Sequence, residues 1–206
     1  ALPASPIVIT VPAAAVAGTY NGTVSVPNNG TGCISANSNI SVTIIGNPTI
    51  TLGANPSVCI GSATANLTYS ATTGSPNQYS IDFNAAAQAQ GFVDVVSAAL
   101  PASPIVITVP GAAVAGTYSG TLTVLNTVTG CASASSQPIT VTINAIPGIT
   151  LGANPSVCTG ATSANLGYSA TLGSPNQYSI DFNAAAQTQG FVDLVNAALP
   201  ATPIVI

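Results

Sequence analysis

The chain has 206 residues with no Lys, Arg or His and four acidic residues, giving a formal net charge of -4. Without cationic side chains it cannot neutralise phosphates, which excludes nucleic acid as a partner and a polybasic membrane contact. Hydrophobic residues make up 47%, too many for a disordered segment, yet their runs are broken by Pro, Gly and Thr and fall short of the ~18 residues of a spanning helix. Ala, Val and Ile carry most of the hydrophobic content and Ser, Thr, Asn, Gly and Pro most of the remainder of the chain, with no Glu, Met or Trp. Such a composition reads as extracellular β structure.

The first stretch, Ala1–Pro12 (ALPASPIVITVP), organises the rest. It returns as Ala99–Pro110 and begins again at Ala198 as ALPATPIVI, ending at Ile206. Cys33 recurs as Cys131, a shift of 98, and Cys59 as Cys158, a shift of 99. One residue is inserted where Asn39-Ile40 becomes Gln137-Pro138-Ile139. A period of 98–99 is too long for a solenoid unit of ~20–45 residues and suits an independent domain of ~100 residues. The chain therefore reads as a window on a tandem array, with the register falling inside the repeat.

In chain order, residues 1–45 read as the C-terminal half of one repeat. Ile7, Ile9 and Val11 alternate with Val8 and Thr10, the period of a half-buried strand. Tyr20, Gly22, Val24 and Val26 share the face of a second strand, Asn28-Asn29-Gly30 signals a turn, and Ile40, Val42 and Ile44 make a closing strand. Gly46-Asn47-Pro48 is a short link in which proline disfavours helix. Residues 46–145 then form the complete repeat, and 146–206 the N-terminal half of the next.

Seven strands are expected in the complete repeat. They lie at Thr49–Leu52, Leu67–Ala71, Tyr79–Phe83, Phe92–Val96, Ile105–Val109, Tyr118–Val124 and Ile139–Ile143. One helical turn is expected after the third, with Asn84 as N-cap and Gly91 at the exit. Seven short alternating strands in ~100 residues predict an all-β protein of tandem immunoglobulin-like β-sandwich domains. Gly116-Thr117-Tyr118, repeated as Gly18-Thr19-Tyr20, resembles a tyrosine corner, in which the hydroxyl bonds back to nearby backbone. An ordinary core tyrosine is the alternative for Tyr20 and Tyr118.

Pro56-Ser57-Val58-Cys59, Ser75–Phe83 (SPNQYSIDF), Ser103-Pro104-Ile105 and Ala115-Gly116-Thr117-Tyr118 together resemble the Ig-like repeats of very large surface proteins of Bacteroidota. Those proteins are similar in kind to gliding-bacterium adhesins exported by the type IX route. The resemblance covers essentially the whole chain. It implies a secreted, surface-attached or filamentous protein and supplies no ligand-binding residue.

Two cysteines per repeat in a secreted-type β domain suggest a disulfide. Cys59 with Cys131 is the expected pair, leaving Cys33 and Cys158 to partners outside this stretch. Pairing across the junctions, Cys33 with Cys59 and Cys131 with Cys158, is the alternative. No zinc site is expected without His or a CxxC motif.

No catalytic residue and no cofactor site are expected, because the inventory lacks His, Glu and Lys, the commonest general acids and bases apart from Asp. The carboxylates, Asp82 with Asp94 and their copies Asp181 with Asp193, read as solvated or turn-capping groups. Calcium, with Asn84 and backbone carbonyls as further oxygens, is the alternative. Two functions follow. One is a structural segment of an extracellular fibre or stalk whose partners are neighbouring repeats. The other is a multivalent module with weak carbohydrate or surface sites gaining avidity from number. Residues 1–45 and 146–206 each need a missing half, expected from a continuous chain because Leu2–Ile9 and Leu199–Ile206 of separate subunits would compete for one slot; neighbouring subunits through strand exchange are the alternative.

Overall fold

A computed structural model describes residues 5–206. Ala1–Ala4, the start of the first copy of the repeated stretch, lie outside the described residues. The described residues are all-β, with two one-turn helices.

Residues 5–45 contain β1 (Gly18–Val24), β2 (Pro27–Asn28), β3 (Cys33–Ile34) and β4 (Ser38–Ile44). β1 and β4 pair antiparallel from Gly18 opposite Ile44 to Val24 opposite Ser38. Residues 7–11, expected as a strand, have no ladder partner here. Alternation alone does not make a strand, since backbone groups need a neighbour to bond.

Residues 46–145 hold ten strands: β5 (Thr49–Leu52), β6 (Ser57–Cys59), β7 (Thr64–Leu67), β8 (Tyr69–Thr73), β9 (Gln78–Phe83), β10 (Val95–Ala99), β11 (Ile105–Thr108), β12 (Gly116–Asn126), β13 (Cys131–Ala132) and β14 (Gln137–Asn144). Helix α1 (Ala85–Ala89) follows β9. The larger layer runs β10-β9-β12-β14-β6, with β13 folding back on β12. β6 joins its edge parallel to β14, and the other pairs are antiparallel. The facing layer consists of β5 with β8 and β7 with β11. One continuous core lies between the layers and runs from Ile50 to Ile143. Leu67, Ile105 and Ile107 on one side meet Ile81, Leu122, Val124 and Val141 on the other. The inward residues are those that period 2 selects, Tyr79, Ile81 and Phe83 on β9 for example.

Three details depart from the expected elements. The second expected strand is split at Thr68, because β7 pairs with β11 while β8 pairs with β5; one run serves two partners and breaks where it changes them. The fourth expected strand begins at Val95 and not at Phe92. Phe92 instead turns into the core, its ring centroid 5.0 Å from both Phe83 and Tyr118. β6 carries no alternation long enough to read, and only its pairing with β14 reveals it.

The two ends of this sandwich are distinct. Pro48 is fully buried, and Gly74, at φ +67°, passes so close that an added Cβ would lie 2.9 Å from the Pro48 Cα. The Asn126 amide donates to the Gly74 carbonyl at 2.9 Å, which ties the β12–β13 hairpin to the entry. The chain leaves from the opposite end, after Asn144, which lies opposite Cys59.

Residues 146–206 contain β15 (Gly148–Leu151), β16 (Asn165–Leu166), β17 (Tyr168–Leu172), β18 (Gln177–Ile180), helix α2 (Ala184–Thr188), β19 (Leu194–Ala198) and β20 (Ile204–Val205). The pairs are β15 with β17, β16 with β20 and β18 with β19. These repeat the pairings β5–β8, β7–β11 and β9–β10. In each flanking segment the repeat's pattern is thus half drawn: residues 5–45 hold the equivalents of β12 to β14, and residues 148–206 those of β5 to β11 except β6.

Candidate functional site

The sequence-derived candidates fall at three places. Tyr118 opens β12, where its ring is buried and its hydroxyl donates to the Val114 carbonyl at 2.7 Å. Tyr20 makes the same bond to Val16 at 2.8 Å, with its ring 44% exposed. The bond closes the loop ahead of the strand and gives the buried phenol a partner. Tyr118→Phe should lower the stability of residues 46–145 by about 1 kcal/mol, the net worth of one such bond. Urea unfolding of Tyr118→Phe beside Tyr20→Phe checks this, the latter leaving that transition in place.

The carboxylates do local structural work. Asp94 Oδ1 accepts from the Phe83 backbone N–H at 2.8 Å, and its oxygens accept from Gln88 Nε2 at 3.1 and 2.9 Å. Asp94 thereby pins the segment after α1 to the end of β9, and Asp193 does the same for Phe182 and Gln187. The Asn84 side-chain oxygen caps α1 by accepting from the Ala87 N–H at 2.9 Å. Asp82 is exposed on the outward side of β9. The oxygens that a calcium ion would need are therefore engaged within the fold at Asp94 and Asn84. Among the described residues no group of three or more acidic, Cys or His side chains gathers.

The cysteines are separated. All four thiols are unpaired. Cys131 lies opposite Asn126 at the entry end of β12. Cys59 lies opposite Asn144 at the exit end, one residue past the Ile143–Gly116 pair. Gly116 to Asn126 spans about 33 Å at ~3.3 Å per residue, whereas a disulfide needs Cα atoms within ~7 Å. The expected Cys59–Cys131 bridge is thus not formed, and the fold corrects it: the first inter-strand loop and the last hairpin lie at opposite ends of the sandwich. Cys33 repeats the position of Cys131, opposite Asn28, where the β2–β3 hairpin ends.

Two features emerge from the fold alone. One is a cleft of about 320 Å³ on the open side between β10 and β11, lined by Ile81, Phe83, Val95, Val106 and Ile107, with Asp94 its sole carboxylate. The other is the pair of uncovered sandwich faces on residues 5–45 and 148–206. Tyr20, Val24 and Ile40 are 44, 37 and 38% exposed where Tyr118, Leu122 and Ile139 are 7, 0 and 1%. Phe191 is 50% exposed where Phe92 is 3%.

No protein-family model matches the chain, and no curated protein matches it. No helix among the described residues is long and apolar enough to cross a membrane. The chemistry available to the chain therefore has to be read from its own surfaces. In residues 46–145 those surfaces are mostly polar strand faces, with Asp82 exposed on β9 and Val106 on β11.

Proposed function

We propose that this chain is a structural segment of an extracellular fibre or stalk, built from tandem Ig-like repeats of the kind carried by large surface proteins of Bacteroidota. The observation that carries this reading is the repeat itself: one closed sandwich is flanked on each side by half of the same design, in the same register. A spacer or filament needs many equivalent units and no unique site. The link geometry supports a regular assembly, because a buried Pro48 locked against Gly74 leaves few freely turning residues between units, and proline-containing links are semi-rigid. Outward positions on β9, β12 and β14 include Ser80, Thr121, Thr140 and Thr142, which can hydrogen-bond between neighbours without charge pairs.

A second reading, a weak multivalent binding module, draws on the 320 Å³ cleft beside Asp94, whose size sits at the lower limit for small-molecule pockets.

Electron microscopy of the native material, before and after raising NaCl, tests the fibre. A regular rod or superhelix with an axial repeat of one or two sandwiches is expected. With no cations to pair, screening has little to weaken, so the rod should persist in high salt. Beads at random relative angles, or dissolution by NaCl alone, would overturn the reading.

A further inference from the structure

We propose that the groove between β10 and β11 of the complete repeat takes a short extended peptide from another protein. The peptide adds as a strand along β11, with an apolar side chain in the groove and a lysine or arginine at Asp94. The proposal rests on the second reading above, that of a binding module, and names its partner. Both strands belong to residues 46–145, whose connections to the rest of the chain leave from the two ends of the sandwich, at Pro48 and after Asn144, whereas the groove runs along its side.

The free edges of the sandwich are not equivalent. β10 is broken by a register shift between Val95 and Ala98, where Ser97 stands at φ 50° and gives its N–H to Ser80 Oγ at 2.9 Å. A bulge of this kind protects an edge from further pairing. β6 is only three residues long, and β5 shifts register between Thr51 and Leu52. β11 runs opposite β7 without a break, from Ile105 opposite Leu67 to Thr108 opposite Thr64. Among the described residues it has no strand on its other side.

Bond alternation identifies the groups that this edge offers. The Val109 N–H donates to the Ala63 carbonyl at 2.9 Å. In an antiparallel pair every second residue bonds toward the same neighbour. Ile105, Ile107 and Val109 therefore bond toward β7, and Val106 and Thr108 turn their N–H and C=O groups outward. The next outward positions are Pro104 and Pro110, which have no N–H to donate. Prolines at both ends stop open-ended sheet growth and leave a strip that suits a short segment. Strand addition draws its affinity from such main-chain bonds and its specificity from pockets under alternate side chains.

The pocket lies beside this strip, with a volume of about 320 Å³. Its floor is the core itself, Ile81, Phe83 and Ile107 being 1, 3 and 4% exposed, and Val93 and Val106 on its rim are 77 and 55% exposed. A strand bonded to Val106 and Thr108 places the residue opposite Ile107 over that floor. Charge then selects the partner. Asp94 is the sole carboxylate of the groove, and its bonds come from the Phe83 N–H and the Gln88 amide, none from a cation. A carboxylate offers about four acceptor places, so one is left over. Since the chain has no Lys, Arg or His, a second copy would bring another carboxylate and no cation. A cationic peptide neutralises Asp94 and is attracted by the net charge of -4. The segment carrying Asp94 lies at the Pro110 end of β11, since an added Cβ on Gly91 would be 3.2 Å from the Pro110 Cβ. Side chains on one face of a strand are two residues apart, so in an antiparallel addition the cation precedes the apolar residue by two.

The probe is the peptide acetyl-Thr-Lys-Thr-Val-Thr-amide, titrated into the 206-residue chain and followed by NMR. Saturable shifts are expected at the Val106 and Thr108 amides and at the Ile81 and Val95 methyl groups. Asp94→Asn keeps an oxygen for the Phe83 N–H and removes the charge, and should weaken binding about threefold, the scale of an exposed ion pair. A peptide with glutamate in place of its lysine should bind more weakly still. N-methylation of the peptide's middle threonine leaves every side chain in place, blocks one main-chain bond and should abolish the shifts. Val106→Pro removes an outward N–H without touching the β7 ladder and should do the same, with the urea transition of residues 46–145 retained. Shifts at Ile81 and Val95 that survive N-methylation would overturn strand addition while keeping the groove as a binding site. Equal binding of the glutamate peptide would overturn the choice of a cationic partner. Val106 and Thr108 signals that move with protein concentration alone would put a second copy on this edge instead. No shift at any of these residues would overturn the proposal and remove the groove from the binding-module reading as well.

Discussion

Leu122→Ala should destabilise residues 46–145 by about 3–5 kcal/mol, the range for a buried leucine truncated where the surroundings cannot collapse. Leu122 is fully buried on β12, between Gln137 of β14 and Ile81 of β9, and belongs to the core that joins the two layers. Its neighbours on both sides are held by ladder hydrogen bonds, so the cavity persists. The same position in the first copy is Val24, 37% exposed. Val24→Ala should leave the main unfolding transition unmoved. Urea unfolding of both variants reads the contrast. Equal small effects would mean that residues 46–145 do not hold a core of their own.

Gly120→Val should cost roughly 3 kcal/mol, the upper part of the usual range for overpacking. The new Cβ would sit 2.8 Å from a backbone oxygen, that of Asp82. A side chain could swing aside, but a carbonyl in the β9–β12 ladder moves only by giving up its bonds. The Phe83 ring at 3.1 Å is also held by its tilted contact with Phe92. The loss should therefore appear as a lower urea midpoint together with disturbed aromatic signals from Phe83 and Phe92. A Gly120→Val chain as stable as wild type would show that β9 and β12 do not approach as closely as described.

The strands of the complete repeat were legible because their inner residues are large and strictly alternating. Ile139, Val141 and Ile143 on β14 and Tyr79, Ile81 and Phe83 on β9 could face only one way. The cap of α1 was legible too, since Asn84 has one local use, and its oxygen accepts from the Ala87 N–H. Phe92 was not. Its neighbours Val93 and Val95 imitate a strand, and only the ring contacts with Phe83 and Tyr118 draw it inward and delay β10 to Val95. β6 was hidden for a different reason: three residues carry no period, and what makes Ser57–Cys59 a strand is the vacant edge of β14.

The candidate site divides in the same way. Tyr118 and Tyr20 were found from a local motif, because the bond runs only four residues back, to Val114 and Val16. The cysteine pairing was not legible, because it depends on which end of the sandwich each loop reaches. Spacing along the chain does not carry that information. Asp94 likewise shows its use only once the chain folds back on β9 and presents the Phe83 N–H.

Composition, alternation and the 98–99-residue period, all local or self-referential properties, determined by themselves that this chain is all-β, repeated and without cationic chemistry. Only the tertiary structure decided the facing of the layers, the opposite placement of Cys59 and Cys131, and the turn of Phe92 into the core. These depend on contacts between residues far apart in sequence, where the chain's path, not its pattern, sets the distance.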